Sequence, residues 1–239
     1  MSSWSPLVTA TVHADSIIWN GSNYIVFFTR FTSTEGTTCG SWREQIYAAT
    51  ITDDLRNATS IQLIDLGPGS QKNALAAKTR DGIALAYSPA HAIEEAGGFT
   101  IRCRDTTDVA LATLDDSLHM TSNAVLSASG PRDDETPVDI TTDGTRTIVT
   151  WSLVLDPHNN GARSMHNNLN LPIAGAVWTG SRIALIEPSL LPAGVDTIVT
   201  SRGTLAYIAS SLGFELGDSE VMVVRRVEET QPPRVRPSR

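Results

Sequence analysis

The chain has 239 residues, 41% of them hydrophobic and 18% charged, with a formal net charge of −8 and a pI near 5.0. That is enough chain to bury a sizeable core as one large domain. The acidic balance argues against general nucleic-acid binding, which needs a basic face to neutralise phosphates. No run approaches the roughly 18 apolar residues of a membrane helix, so no membrane partner is expected. Residues 1–14 have neither a basic start nor an apolar core. The expected location is therefore the cytoplasm, or outside the cell for a chain whose leader has been removed. Cys39 and Cys103 are the two cysteines, too few for a disulfide framework or a zinc site, and are read as free thiols.

Taken in order, Leu7–Val12 alternates like a strand, and Ser16–Phe31 then reads as strand, turn at Asn20-Gly21, strand. Asn-Gly between two such runs is a strong hairpin signal, because both turn residues accept positive φ. The same unit of apolar strand, glycine turn and apolar strand returns at Gly82, Gly144, Gly180 and Gly203. After the first two hairpins a third strand follows, Gln45–Thr52 ahead of Asp53-Asp54-Leu55, and Asp108–Leu114 ahead of Asp115-Asp116-Ser117-Leu118. Short apolar runs at Ser60–Ile64 and Asn123–Leu126 complete four strands per repeat. Gly161–Leu171 and Val221–Val227 read as third strands of later repeats, and Ala90–Ala96 as the one stretch able to make a helical turn.

A repeated four-stranded meander cannot bury both sheet faces alone, and stacking such sheets radially gives a β-propeller. Trp19-Asn20-Gly21-Ser22-Asn23-Tyr24, followed by Ile-Val-Phe-Phe and later by Ile46-Tyr47-Ala48-Ala49, resembles a bacterial β-propeller repeat. The pattern of that repeat is an aromatic-x-Gly-x-x-Tyr turn feeding a buried strand. The resemblance implies an all-β fold and leaves function open. Five hairpins predict five blades, or four if two hairpins share one. The Leu7–Val12 strand is expected to close the ring as the outermost strand of the last blade. A β-sandwich is the alternative. Residues 1–228 form the one domain.

In a propeller the loops between second and third strands share one face with the loops that lead into each blade. Here those are the long ones: Phe31–Glu44, Pro89–Thr100 and Leu155–Arg163. Long loops on one end of a rigid scaffold are where binding residues concentrate, so this face is the expected site. His13, His91 and His158 fall on it, with Asp156 and other carboxylates near them. Three convergent imidazoles could hold a divalent metal, the one cofactor these residues suggest. Trp42 and Arg43 pair an aromatic ring with a cation, suited to a sugar ring or a partner's side chain. Asp139 and Asp196 start the third and fifth hairpins, where a glycoside hydrolase would place its acids. Asp143-Gly144 is read as a turn, since the sialidase Asp-box separates its Asp and Gly by one residue. No nucleophile elbow, phosphate loop or dinucleotide fingerprint is present.

The expected function is a non-catalytic binding propeller that takes a carbohydrate, small molecule or protein on one asymmetric long-loop face. The alternative is an enzyme on the same face, hydrolytic through carboxylates or metal-dependent through the histidines. The tail Glu229–Arg239, with three prolines and three arginines, offers no core residue in any register and is expected to be disordered. Its deletion should leave the thermal melting temperature unchanged; a truncated chain that fails to fold would make the tail structural.

Overall fold

The computed structural model describes residues 12–33, 42–59, 61–97, 100–127, 134–154, 173–186, 195–199, 204–210 and 220–226. Every regular element among them is a β-strand. The first sheet runs β1 (Val12–Trp19), β2 (Asn23–Ser33), β3 (Trp42–Thr52) and β4 (Gln62–Leu63) in spatial order. A second meander follows: β5 (Ser70–Lys78), β6 (Ile83–Gly97), β7 (Thr100–Thr107), β8 (Val109–Leu114) and β9 (Met120–Ser127). β7 and β8 pair with β6 in one register, from Ile83↔Leu114 to Gly97↔Thr100, and so act as one long strand interrupted at Asp108. The third meander is β10 (Asp134–Thr142), β11 (Thr147–Val154), β12 (Ile173–Trp178) and β13 (Ile183–Ile186). One parallel pair, Thr107↔Asp134, joins it to the second. β14 (Val195–Val199), β15 (Thr204–Ser210) and β16 (Glu220–Arg226) make a separate three-stranded sheet.

The first strands neighbour one another in sequence order: β1 beside β5, β5 beside β10, β10 beside β14. Successive meanders therefore stack face to face, and the packing explains the residue choice. In β6, Ile83, Leu85 and Tyr87 bury against the first meander, while Ala84 and Ala86 bury against the third. In β8 the sizes invert, with Ala110 and Ala112 facing the first meander and Val109 and Leu111 the third. Three successive cross-strand pairs are then large with small: Leu85↔Ala112, Ala86↔Leu111, Tyr87↔Ala110. This alternation fills both interfaces without overpacking either. Trp151, 1% exposed, supplies the bulk on the third meander's side.

The hairpins joining first to second strands share one four-residue loop. Asn20–Asn23, Thr79–Gly82 and Asp143–Arg146 each close with a bond from the first N–H to the fourth carbonyl, at 3.0, 3.0 and 3.1 Å. Thr179–Arg182, between β12 and β13, repeats it at 3.1 Å. The expected two-residue Asn20-Gly21 turn is thus wider. Asn20 Oδ1 accepts the N–H groups of Ser22 and Asn23, which takes them from the ladder and stops pairing at Trp19↔Tyr24. Gly21 sits at φ 107°, which the loop requires. The first strands also share a bulge four residues before the last hairpin pair, at Asp15, Ala74 and Val138.

Four expectations change. Ala90–Ala96 is strand, because the β6 register continues unbroken into β7. The Gly144 and Gly180 hairpins belong to one meander, β10 to β13, since the return from third to fourth strand carries the same loop as the first hairpin. The described strands accordingly fall into four meander units where five hairpins were counted. Val12 opens β1 and pairs with Arg30, so the last residue of the expected closing strand Leu7–Val12 belongs to the first meander. Residues 1–11, Gly161–Leu171 and the tail Glu229–Arg239 lie outside the described residues.

The pairing of large with small makes a swap testable. Leu85→Ala should cost ~2–5 kcal/mol through the cavity it opens, and Ala112→Leu ~1–3 kcal/mol through overpacking. The double variant, which restores volume across the same pair, should be more stable in urea than the sum of the two losses predicts. Strict additivity would deny that the two side chains share one space.

Candidate functional site

The two ends of the stack differ in kind. At one end lie the four-residue loops: Arg80 N donates to Gly144 O at 3.4 Å, joining the second meander to the third, and within the second Lys78 Nζ lies 3.0 Å from Asp116 Oδ1. At the other end β2/β3 and β6/β7 keep pairing beyond the packed core as two-stranded ribbons, the longer reaching Gly97↔Thr100. Glu44 N donates to Ser70 Oγ at 2.8 Å, and Lys72 Nζ lies 3.6 Å from a Glu44 carboxylate oxygen, tying the first ribbon to the start of β5. Where the second ribbon begins, Glu135 is 1% exposed. Its N–H donates to Thr107 Oγ1, its carbonyl accepts from Ser88 Oγ, and its Oε1 accepts from Ser127 Oγ at 2.6 Å. Like ends of the three meanders therefore lie together.

Of the expected long loops, residues 89–97 are strand in the second ribbon and residues 31–33 and 42–44 are strand in the first, while residues 34–41 and 155–163 lie outside the described residues. Pro89 has no N–H to give a ladder. It sits where β7 passes into β8, and only its carbonyl is used, accepting Asp108 N–H at 3.2 Å. The signal that could have revealed the ribbon is the alternation Thr100-Ile101-Arg102-Cys103-Arg104 after Gly97-Gly98. His91 is consequently a strand residue opposite Thr106. His13 is opposite Thr29 in β1, and Trp42 and Arg43 open β3 opposite Ser33 and Thr32. At His13, Trp42 and His91 the structure describes the backbone alone; Arg43 is exposed. Successive strand positions alternate between sheet faces, so Trp42 and Arg43 occupy opposite sides of their ribbon. Asp156 and His158 lie outside the described residues, as does Cys39, while Cys103 pairs with Glu94 in the second ribbon.

Among the described residues no three His, Cys, Asp or Glu side chains are grouped to hold a metal ion. Asp139 Oδ1 accepts the N–H of Ile140 at 2.8 Å, and Asp196 holds the equivalent register position in β14, opposite Ile208. Asp15, at the first strand's bulge, accepts a 2.6 Å bond from Thr29 Oγ1. Asp139 and Asp15 thus take local hydrogen bonds on first strands.

A cleft that the sequence did not disclose lies at the opposite end, between the loops of the first two meanders. It encloses about 460 Å³, with Asn20, Asn23, Thr50, Gln62, Lys78 and Asp116 around it and Ile25 and Leu118 at its base. Gln62 Nε2 donates to Ser117 O at 3.3 Å along one wall. Minimal turns gave no hint of it, because the gap arises between neighbouring loops rather than within one.

Asp143 is the organiser of its loop. Burial opposes its ionisation, but four hydrogen bonds outweigh that: from Arg146 N–H, Thr145 N–H, the Arg146 guanidinium and the Thr145 hydroxyl. The carboxyl is held well below its ordinary value of 3.8. Asn20 does the same work in the first meander with a neutral amide. Compared with known proteins, the chain matches no protein-family model, and none of the curated proteins matches it in sequence.

A depressed carboxyl stabilises the fold above its unfolded-state value, and that contribution is lost as pH falls below it. Asp143→Asn, which keeps the amide-type turn and loses the ion pair, should therefore unfold more easily than the parent at pH 7. The gap should close as the pH falls below about 4. Asp143→Ala should lose roughly 1 kcal/mol or more through the unmade loop bonds. Urea titrations at pH 7 and pH 2.5 read both, and a gap independent of pH would exclude the charge.

Proposed function

We propose that this chain is a β-propeller-type binding module that takes its ligand at the end carrying the ribbons. The observation that carries the reading is the contrast between the ends. One end repeats the same four-residue loop, while the other projects ribbons of unequal length and sequence from meanders that are otherwise alike. Uniform loops serve the fold, and unequal extensions on a rigid base supply a single asymmetric surface. Radial stacking is supported by the succession of first strands and by the second meander, which is buried on both faces. A two-sheet sandwich has one inter-sheet core and would leave one of those faces open.

Trp42, Arg43 and His91 lie on the ribbons, and Asp156 and His158 follow the equivalent strand of the third meander. Their chemistry suits a glycan, a polar small molecule or a protein segment: an indole for stacking, a guanidinium for bidentate acceptors, imidazoles for either role. The cleft between Asn20 and Asp116 favours a second placement of the same binding function, since its amides and its Lys78–Asp116 pair could meet hydroxyl groups.

Glycan-array and thermal-shift screening of the whole chain should find at least one ligand class. Arg43→Ala and Trp42→Ala should weaken it by about tenfold or more with the unliganded melting temperature unchanged. Weakening by Lys78→Ala instead would move the site to the cleft. Retention of full affinity by all three variants would overturn both placements.

A further inference from the structure

The core between the first two meanders opens toward the ribbon end. On β2 the positions on the face toward the second meander are Ile25, Phe27, Thr29 and Phe31, every second residue. Their exposures are 2%, 0%, 5% and 44%, so the interface is closed at Thr29 and open at Phe31. The same alternation on β3 puts Glu44 and Trp42 on that face, opposite Phe31 and Ser33. On the second meander Leu85 and Tyr87 lie on the face toward the first. The β6 register continues unbroken into the ribbon, which places His91, Ile93 and Glu95 on that face, with Thr106, Arg104 and Arg102 opposite them.

The two sides of the resulting groove are unlike. The first ribbon contributes two aromatic residues, Phe31 and Trp42, at diagonal positions of the β2/β3 pair. Its one acid on this face, Glu44, is answered by Lys72, whose Nζ lies 3.6 Å from Glu44 Oε2. Asp15 lies deeper, at the β1 bulge, and takes the Thr29 hydroxyl at 2.6 Å. The second ribbon contributes two arginines to one glutamate. Arg102 lies opposite Glu95, a cross-strand pair of opposite charges, while Arg104 lies opposite Ile93. An excess of positive charge on one face stands out in a chain of net charge −8.

A ligand that suits both sides has a ring to lay on aromatic residues and one anionic group for an arginine. A phosphate monoester carries about −1.5 to −2 charges at neutral pH, more than one arginine balances. A carboxylate carries a single charge and meets a guanidinium through two parallel hydrogen bonds. We infer that the juxtaposition of Phe31 and Trp42 with Arg104, across the groove between the first two ribbons, selects a saccharide bearing a carboxylate, a hexuronic acid. The inference rests on the ribbon-end reading and names the ligand class of that site. Arg43 falls on the other face of its ribbon, so Arg43 and Arg104 variants separate the groove from the rest of the ribbon end.

The test is calorimetric titration of the whole chain with oligogalacturonate and with its methyl ester, which keeps the rings and removes the charge. The overall acidic charge favours the ester, so a preference for the acid reports a local cation. The parent should bind the acid about tenfold or more tightly than the ester. Arg104→Gln should bind the two alike, Arg104→Lys should recover part of the preference, and Trp42→Ala should weaken both, with melting temperatures unchanged. No binding of the acid, equal binding of acid and ester by the parent, or tighter binding of a nucleoside monophosphate would each overturn the ligand class. Affinity lowered by Arg43→Ala and untouched by Arg104→Gln would overturn the groove and leave the ribbon end as the site. Affinity lowered by Lys78→Ala alone would overturn both.

Discussion

A β-sheet with two apolar faces has to be covered twice, and the rest of this structure follows from that requirement. The second meander meets it fully. Ile83, Leu85 and Tyr87 enter one core and Ala84 and Ala86 another, from five consecutive residues of one strand. A chain of that kind gains little from forming its own hydrogen-bonded ladder in isolation, because each face would remain in water. Burying a Leu or Tyr side chain is worth about 1.5–3 kcal/mol, so the two interfaces together outweigh what any single hairpin contributes. Stacking is the condition under which these strands are stable at all, and the large-with-small pairing across β6 and β8 sets how closely the sheets approach.

The four-residue loops serve this stacking by fixing register. Asn20 and Asp143 use one side-chain oxygen to hold two N–H groups of their own loop, and each loop then closes with the same backbone bond. Because side chains alternate along a strand, a slip of one residue would send every large side chain to the wrong core. A local hydrogen-bonded clamp at each hairpin is a direct defence against that slip. Gly82 adds a close approach: a Cβ there would run into the backbone carbonyl of Leu114, which brings the hairpin loop against the end of the third strand.

Much of this was legible in the sequence, and the losses have physical causes. The hairpins at Gly21, Gly82 and Gly144, the third strands before Asp53-Asp54 and Asp115-Asp116, and the all-β class were readable because turn chemistry and period-two alternation are local signals. The grouping of strands was not, since the β12–β13 loop repeats the first-to-second loop and nothing local tells an inner hairpin from an outer one. The second ribbon was hidden by Pro89, whose missing N–H happens to fall where the ladder needs none. The sequence put His91 and Arg43 at the end now proposed for binding, and the structure sets them opposite Thr106 and Thr32 in strands. The sequence could not indicate the cleft beside Lys78, a feature of the loops at Asn20–Asn23 and Asp116–Leu118, far apart in sequence and brought together by packing.

The base of the second ribbon shows what the ribbon end asks of the fold. Glu135 is a carboxylate buried beside Ser88, Thr107 and Ser127, where an apolar residue would fill the space at lower cost in solvation. Burial of such a group is a poor way to add stability and a good way to exclude alternatives. Its backbone and side chain together bind three strands of the second meander to the first strand of the third, beside the Thr107↔Asp134 pair. A shift of β10 along its neighbour would strand the carboxylate in an apolar interface, at a cost of several kcal/mol. The arrangement is therefore specified at the point from which the longer ribbon projects. A ribbon anchored to a specified junction keeps its direction, which is the property a binding surface needs and a hydrophobic core alone does not supply.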